Sequence, residues 1–582
     1  MIFFLKKMLC LCAVCSIMAF SAPHIWDGSA DVSWYEDGAQ TYNLTTPEQL
    51  AGLAKLVNDG TSDFFRKTIT LGADIFLNDT VGVDAGSWYE NSHRNWVPIG
   101  TTNRPFKGEF DGLAGKNNRK IYGLYIKSAS YLVGLFGYTS EAKISNIDIL
   151  VGNISSEDGD VGACVGYATG GGSLITNVHA EGIKVRGVDN VGGLTGDFYG
   201  TITKSSFIGN VTGRGSIGGI AGRARAISKS YASGIIDGEG DYVGGIAGSA
   251  SGIDSVYHID GNVSGSRYVG GLVGSNYGSV LNSYSKGDVL GTGAYVGGLA
   301  GYVTGNVSNS HSEGNITGLS NCVGGLVGLL FAAYSDSRTV TWDIVRDSYS
   351  IGNVKGENYV GGLIGLDSIY RIAKNDYALI RKINRVSVFG GVEGKKYVGG
   401  IVGKMSYGYS DSSFSSNFYS ELDSCHHAGG EVIGIGYVGG LLGYTYGSIS
   451  NSYSKGDVVG ESNYIGGVAG YVSGKIDSAY HIEGEINGFG RIGGLVGHIN
   501  GSVSNSYSKG NVKGLGDYVG GLIGYGTDVQ KSYVEGSVES DSSYVGGIAG
   551  YASGMIDSSS HIGGFVYGYG FVGGLTGSTR TI

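Results

Sequence analysis

The sequence predicts an all-β protein, a parallel β-solenoid (β-helix) of about sixteen coils that follows an N-terminal cap of mixed α/β character. Three observations predict this fold. A glycine-rich motif recurs mostly every 26 or 27 residues, residues within a repeat alternate with period two, and no proline occurs after residue 105. Regular repeats of this length are typical of solenoids. Because proline removes a donor from a β-ladder, a long array without it suits stacked strands.

The repeated motif is clearest at residues 518–524, where a Gly-Gly pair lies between Val519 and Leu522. Degenerate copies around Gly134 and Gly162 extend the array to about sixteen units. The first glycine of the pair falls at positions 192, 218, 244, 270, 297, 324, 361, 399, 439, 466, 493, 520, 546 and 573.

Alternation within one repeat indicates strands rather than helices. In residues 501–514, the pattern places Val503, Asn505 and Tyr507 on one face and the intervening serines on the other. Period two is the signature of a strand, and about three short strands separated by glycine turns fit into one repeat. At roughly 4.8 Å per coil, sixteen coils form a rod on the order of 75 Å long.

The chain divides into three predicted regions. Residues 1–22 have a basic start, an apolar run and small residues at the end, which predict a secretory signal peptide. An uncleaved membrane anchor is the alternative; otherwise no membrane span is predicted. Residues 23–130 form the predicted cap, with a helix over 46–57 and four of the five tryptophans. Residues 131–582 form the repeat solenoid. The mature protein is therefore expected to be secreted or displayed at the cell surface.

Composition excludes several classes of protein. The 110 glycines lack the three-residue period of collagen, and 41% of residues are hydrophobic, so a core can form. The net charge of −10 argues against nucleic acid as a partner. After the signal peptide only three cysteines remain, far apart, and their spacing fits no metal or redox motif. We expect buried thiols at Cys164, Cys322 and Cys425.

The repeats resemble a known family. Residues 269–274, followed by Asn282-Ser-Tyr-Ser and a final Gly-x-Val-x-Gly, are similar to the GLUG repeat. That repeat occurs in bacterial surface proteins, including filamentous haemagglutinin-like adhesins and the non-catalytic part of some immunoglobulin A-cleaving metalloproteases. Residues 50–126 resemble the segment that often precedes such arrays. The resemblance implies export and a solenoid, and it implies no defined activity.

The common catalytic motifs are missing from the sequence. No His-Glu pair, no Gly-x-Ser-x-Gly and no Gly-Lys-Ser/Thr occurs. We therefore predict no enzyme, no cofactor and no metal site, and we expect His258, His481 and His561 to be structural. A polysaccharide-degrading β-helix is the alternative, for which Asp254, Asp347 and Asp477 are candidates by residue type alone.

Three consecutive repeats are longer than the rest, with steps of 37, 38 and 40 residues after Gly324. The extra residues predict three clustered loops at 329–345, 366–385 and 404–423. Aromatic residues on loops suit a carbohydrate or a host or matrix protein as partner; insertion without a role is the alternative. The predicted ligand-binding residues are Tyr334, Trp342, Tyr370, Arg371, Tyr377, Tyr407, Tyr409 and Tyr419.

These observations predict an exported repeat protein that acts in adhesion, in surface attachment or as a stalk. The alternative is the non-catalytic repeat region of a larger exported enzyme. The last motif ends close to residue 582, and nothing in the sequence after it resembles a closing element. We therefore expect either a C-terminal continuation of the chain or a partner that pairs with the last coil.

Overall fold

The computed structural model describes residues 23–80, 93–334, 340–371, 379–408 and 418–580. Within these residues the chain forms one α-helix, Pro47–Asn58, and short parallel strands that stack into a β-solenoid of about 18 turns. The predicted fold class is confirmed, with slightly more turns than the sixteen expected. The predicted signal peptide, residues 1–22, lies outside the described residues.

The additional turns belong to the N-terminal region. Thr41–Leu44 pairs in parallel with Thr68–Leu71, which pairs with Glu109–Asp111. Glu109–Asp111 pairs in turn with Lys143–Ser156. The stacked sheets therefore run through the predicted boundary at residue 130, and the cap is built on the first turns of the solenoid rather than placed beside them.

The helix Pro47–Asn58 begins as its sequence predicts. The hydroxyl of Thr46 accepts a hydrogen bond from the backbone N–H of Gln49 at 3.3 Å, and proline occupies the first turn, where no N–H is needed. Leu50 and Leu53 are fully buried in the core that continues into the solenoid. The helix thereby covers apolar residues of the first turns.

The coils between residues 132 and 238 contain three strands each, as expected. Most later coils contain five short strands instead. In one coil they are Val269–Gly270, Val273–Asn276, Val280–Leu281, Tyr284–Lys286 and Val289–Gly291. Each pairs in parallel with the equivalent strand of the next coil. The first strands form a separate 16-stranded sheet. Its members are Leu132–Val133, Asp160–Val161, Asn190–Gly192, Ser216–Gly218, Tyr242–Gly244, Val269–Gly270, Val296–Gly297, Val323–Gly324, Asn358–Gly361, Lys396–Gly399, Gly436–Gly439, Asn463–Gly466, Gly490–Gly493, Val519–Gly520, Ser543–Gly546 and Gly570–Gly573.

In the later coils a left-handed residue explains the larger number of strands. Asn505 has a φ of 49° and is exposed, so the chain turns there and the strand splits into Val503–Ser504 and Tyr507–Lys509. Val503, Ser506 and Ser508 are buried, whereas Tyr507 points outward. The predicted single face of Val503, Asn505 and Tyr507 is therefore wrong. Asparagine tolerates positive φ better than most residues, which suits Asn282, Asn309 and Asn451 at the same corner.

Buried serines bridge successive coils beside this corner. The backbone N–H of Ser283 donates to the hydroxyl oxygen of Ser310 in the next coil at 3.1 Å, and that of Ser310 donates to Ser348 at 3.2 Å. Each hydroxyl also donates to a carbonyl two residues earlier, as Ser283 does to Leu281 at 2.6 Å. The serines satisfy backbone groups that the turn removes from the regular ladder.

Successive coils approach each other very closely at the Gly-Gly corner. A methyl group added to the Cα atom of Gly298 would lie 2.0 Å from the carbonyl oxygen of Gly325 in the next coil and 2.7 Å from Cβ of Ser312. Both contacts are far shorter than any real carbon contact. The second glycine of the motif is therefore required by space and not by backbone conformation.

The last described coil leaves apolar side chains open. Val572 and Leu575 are 44% and 46% exposed, whereas Val545 and Ile548, their equivalents one coil earlier, are completely buried. The expectation of a continuation or of a pairing partner stays a prediction.

Substitution at the Gly-Gly corner tests this packing. We expect Gly298→Ala to lower the free energy of unfolding by about 2 kcal/mol or more, because the added methyl group overpacks the interior. Hydrogen exchange should be faster in the coils around residues 270–330. Gly252→Ala is the control, since a methyl group there would meet no atom within 4 Å. Equal stability of the two variants in chemical denaturation would contradict the close approach of the coils.

Candidate functional site

The three insertions form a ledge made of strands. One stack of strands enters the insertions: Val327–Tyr334 pairs with Ile364–Arg371, which pairs with Val402–Gly408. A second stack leaves them: Val340–Ile351 pairs with Leu379–Phe389, which pairs with Phe418–Asp423. The described parts of the predicted loops are thus extended strands, because residues added at one point of successive coils can pair with one another. We call residues 331–334, 340–344, 368–371, 379–382, 406–408 and 418–421 the ledge.

A buried ion pair joins the two strand stacks at the base of the ledge. Nη2 of Arg381 lies 2.7 Å from Oδ1 of Asp367, and the two side chains are only 2% and 1% exposed. Arg381 also donates to the carbonyl of Ser368 at 3.3 Å. Burial raises the pKa of Asp367, and the neighbouring guanidinium opposes that rise. Buried pairs of this kind hold a specific geometry at a desolvation cost.

Further ion pairs connect the coils outside this core. Nζ of Lys382 lies 2.9 Å from a carboxylate oxygen of Asp423, and it is 3.7 Å from Glu421. Arg385 donates two hydrogen bonds to Asp347, at 2.6 and 2.9 Å. Lys382 and Arg385 are therefore paired with acids of the neighbouring coils.

Six of the eight predicted ligand-binding residues have backbones in ledge strands. Tyr334 lies opposite Arg371 in the strand register, and Tyr370 lies opposite Gly408. Trp342 lies opposite Arg381, Tyr407 opposite Ile369, and Tyr419 opposite Ile380. The fold thus brings these six positions together on adjacent strands. Tyr377 and Tyr409 lie outside the described residues.

Tyrosines elsewhere form columns along the solenoid. The rings of Tyr437 and Tyr464 stack at 4.6 Å with 8° between their planes, and those of Tyr444 and Tyr471 stack at 4.6 Å with 7°. The two columns also meet edge to face, as in the 5.6 Å contact of Tyr437 with Tyr444. Rings stacked in this way cover one another's faces and leave their edges and hydroxyls outward. A flat ligand therefore has no open ring face in these continuous stretches.

Two of the three candidate histidines lie in the interior, and the third is partly buried. His258 and His481 are completely buried, and burial lowers the pKa of His481 to about 4. Nε2 of His561 lies 2.7 Å from the carbonyl oxygen of Gly536. His426 and His427, adjacent in one strand, point to opposite sides: His426 stacks on Tyr453 outside, and His427 is buried. Their direction prevents them from binding one ion together.

The three cysteines are buried and unpaired, as expected. Burial raises the pKa of Cys322 and of Cys425 to about 12, so these thiols are unreactive at neutral pH.

The candidate acids do not form one cluster. Asp347 is held by Arg385, which keeps the pKa of its carboxyl low, and Asp477 accepts hydrogen bonds from Ser504 and Asn505 at 2.7 Å. Asp254 accepts from Asn282 in the next coil at 2.9 Å. Each carboxylate has a local role in joining coils. Nothing in their positions gathers them at one cleft.

Comparison with known proteins identifies the repeat. The family model described as the GLUG motif matches residues 265–290, 292–317, 434–459 and 490–513. The chain carries GLUG repeats. No curated protein and no solved structure matches the chain.

GLUG repeats on a β-solenoid indicate a repeat protein of the surface or extracellular kind. In the part of the chain that the structure describes, no helix is long and apolar enough to cross a membrane. Each matched range spans about one coil, so the repeat of this GLUG protein is the five-strand turn described above.

The buried ion pair of the ledge allows a sharp test. We expect Arg381→Met to lower the free energy of unfolding by about 3–5 kcal/mol at neutral pH, because it leaves the Asp367 carboxylate buried without a partner. An acid whose folded pKa lies above its unfolded pKa loses stability as pH rises between the two values. The cost of Arg381→Met should therefore shrink on acidification. Denaturation at pH 7 and pH 4.5 measures both effects.

The double variant Asp367→Leu with Arg381→Met is the matched control. It removes both charges, so it should be much more stable at neutral pH than Arg381→Met alone. If the double variant is as unstable as the single one, the pair is not the source of the loss.

Proposed function

We propose that this GLUG-repeat protein is exported and acts in adhesion or surface attachment, and that it binds a carbohydrate or a protein ligand through the ledge. The observation that carries the proposal is the pairing of three consecutive insertions into one structure. Ordinary surface insertions vary independently of one another. Three adjacent insertions that share strand register support a surface on which several side chains act together.

The rigidity of the ledge supports a binding role. Residues on paired strands lose less freedom on binding than residues on loose loops, and sites built on regular elements hold their geometry better. The buried pair of Asp367 and Arg381 fixes the two stacks relative to each other. The ledge sequence also concentrates Tyr, Trp and Arg, the residues most enriched at binding hot spots.

The elongated solenoid supports the attachment role. Repeats that contact only their neighbours build a long body without a large globular core. At roughly 4.8 Å per turn, about 18 turns extend on the order of 85 Å. Such a body can hold a binding surface away from the cell that exports it.

The proposal is tested with a variant that lacks the ledge. The strand register aligns Val303 and Val307 of an ordinary coil with Leu330 and Val345 of the first long coil. Residues 331–344, 368–382 and 406–421 can therefore each be replaced by Thr-Gly-Asn, the natural connection at 304–306. Asp367→Val is added, because the deletion removes Arg381.

We expect this ledge-less variant to keep its circular dichroism spectrum and its cooperative melting, because each shortened coil matches its neighbours. Binding to at least one member of a panel of glycans and matrix proteins should fall at least tenfold. Tyr518→Ala, in a stacked tyrosine column away from the ledge, is the control and should bind as the natural chain does. Unchanged binding of every panel member by the ledge-less variant would overturn the proposal.

A further inference from the structure

Near the start of the repeat array, one tyrosine column begins late and the column beside it is interrupted. In one column the strand register gives Asp160, Asn190 and Ser216 before Tyr242 and Tyr268. In the neighbouring column it gives Asp197, Arg223, Ser249 and Ser275 between Tyr167 and Tyr302. Small or charged side chains thus stand where later coils have rings.

This interruption opens a recess of about 850 Å³. Asn190, Ser216, Arg223, Tyr242 and Tyr277 are among the residues that line it. Its volume lies within the range of small-molecule binding sites. Ser216 does not fill the space, because its hydroxyl donates inward to the carbonyl of Gly222 at 2.9 Å.

Tyr242 presents an open ring face to the recess. It begins its column: one face stacks on Tyr268 at 5.1 Å, with 10° between the planes, and the position on its other side belongs to Ser216. The ring is 37% exposed. The recess thus combines an exposed aromatic ring with polar groups from several coils. Such a combination suits a ligand that has one apolar face and many hydroxyl groups.

Two buried acids hold the polar groups of the recess in place. Asp160 is 3% exposed and accepts a hydrogen bond from Nδ2 of Asn190 at 2.7 Å. Asp197 is 6% exposed and lies 3.7 Å from Nη1 of Arg223, whose own side chain is half exposed. Burial raises the pKa of Asp160 to about 6. Asn190 and Arg223 are therefore supported from behind and keep further donors free toward the recess.

The charges around the recess disfavour an acidic ligand. Arg223 faces Asp197, and Arg214 is 3.0 Å from Glu239. Asp189 and Asp241 also line the recess, and Asp241 pairs with Arg267. Each of these arginines is already neutralised, and Asp189 adds negative charge. A carboxylated or sulfated ligand would find no unpaired cation among them.

We infer that this recess is a second binding site, separate from the ledge, and that it takes a neutral sugar ring of a glycan. The ring stacks on Tyr242, and its hydroxyl groups exchange hydrogen bonds with Asn190 and Arg223. The interruption of the columns is what creates the site, because in the unbroken stretches the ring faces are covered.

The experiment uses the whole chain and a panel of hexasaccharides. The neutral members are built from glucose, mannose, galactose or N-acetylglucosamine; the acidic members carry uronate or sulfate. Ser216→Tyr places a ring where the tyrosine column is missing one, because Tyr242 occupies the equivalent position in the next coil. The added ring should block the recess. Tyr242→Ala removes the platform, and Asn190→Ala removes a polar contact without adding bulk. Tyr518→Ala is the matched control in an unbroken column.

We expect the natural chain to bind at least one neutral hexasaccharide in calorimetry. Tyr242→Ala, Asn190→Ala and Ser216→Tyr should each weaken this binding at least tenfold, whereas Tyr518→Ala and the ledge-less variant should stay within twofold. If Ser216→Tyr fails to fold, the other two variants decide. Binding of acidic members only, binding of no member, or unchanged binding by Tyr242→Ala and Asn190→Ala would overturn the inference.

Discussion

At the Gly-Gly corner the backbones of successive coils approach so closely that no side chain fits between them. From Gly193 to Gly547, a methyl group on the second glycine would lie 1.9–2.2 Å from a carbonyl oxygen of the next coil. That contact sets the rise of the solenoid at one strand spacing. Once the rise is fixed there, the other strands of the coil must pair in register, and equivalent residues must stack above one another. The serine bridges, the tyrosine columns and the ledge all depend on it.

Much of this architecture can be predicted from the sequence, since the recurrence of Gly-Gly gives coil length and strand stacking directly. The number of strands cannot be predicted in this way. The alternation of side chains continues through Asn505 in the sequence, but the positive φ of Asn505 turns the chain there. The sequence predicts loops at the ledge because it shows the additional residues of each insertion but not that these residues pair with those of the neighbouring insertions.

Departures from the repeat mark where binding chemistry is available. In a regular coil, rings stack on rings, serine hydroxyls bind backbone groups and acids bind asparagines of the next coil, so little is left for a ligand. The recess is hidden in the sequence because Asp160 and Asp197 belong to different coils, 37 residues apart. A comparison of equivalent positions from coil to coil reveals the missing tyrosines. In a repeat protein, a residue that differs from its equivalents in the neighbouring coils indicates where a binding site can form.

The ladders between coils run along the solenoid axis, and this direction has a mechanical consequence. Tension applied through the two chain ends loads the terminal coil first, so coils peel away one at a time rather than shearing together. A coil of about 27 residues occupies roughly 4.8 Å of the rod but releases about 90 Å of extended chain when it peels. Each coil that peels away thus lengthens nearly twentyfold under load. It thereby dissipates force while the remaining coils stay folded.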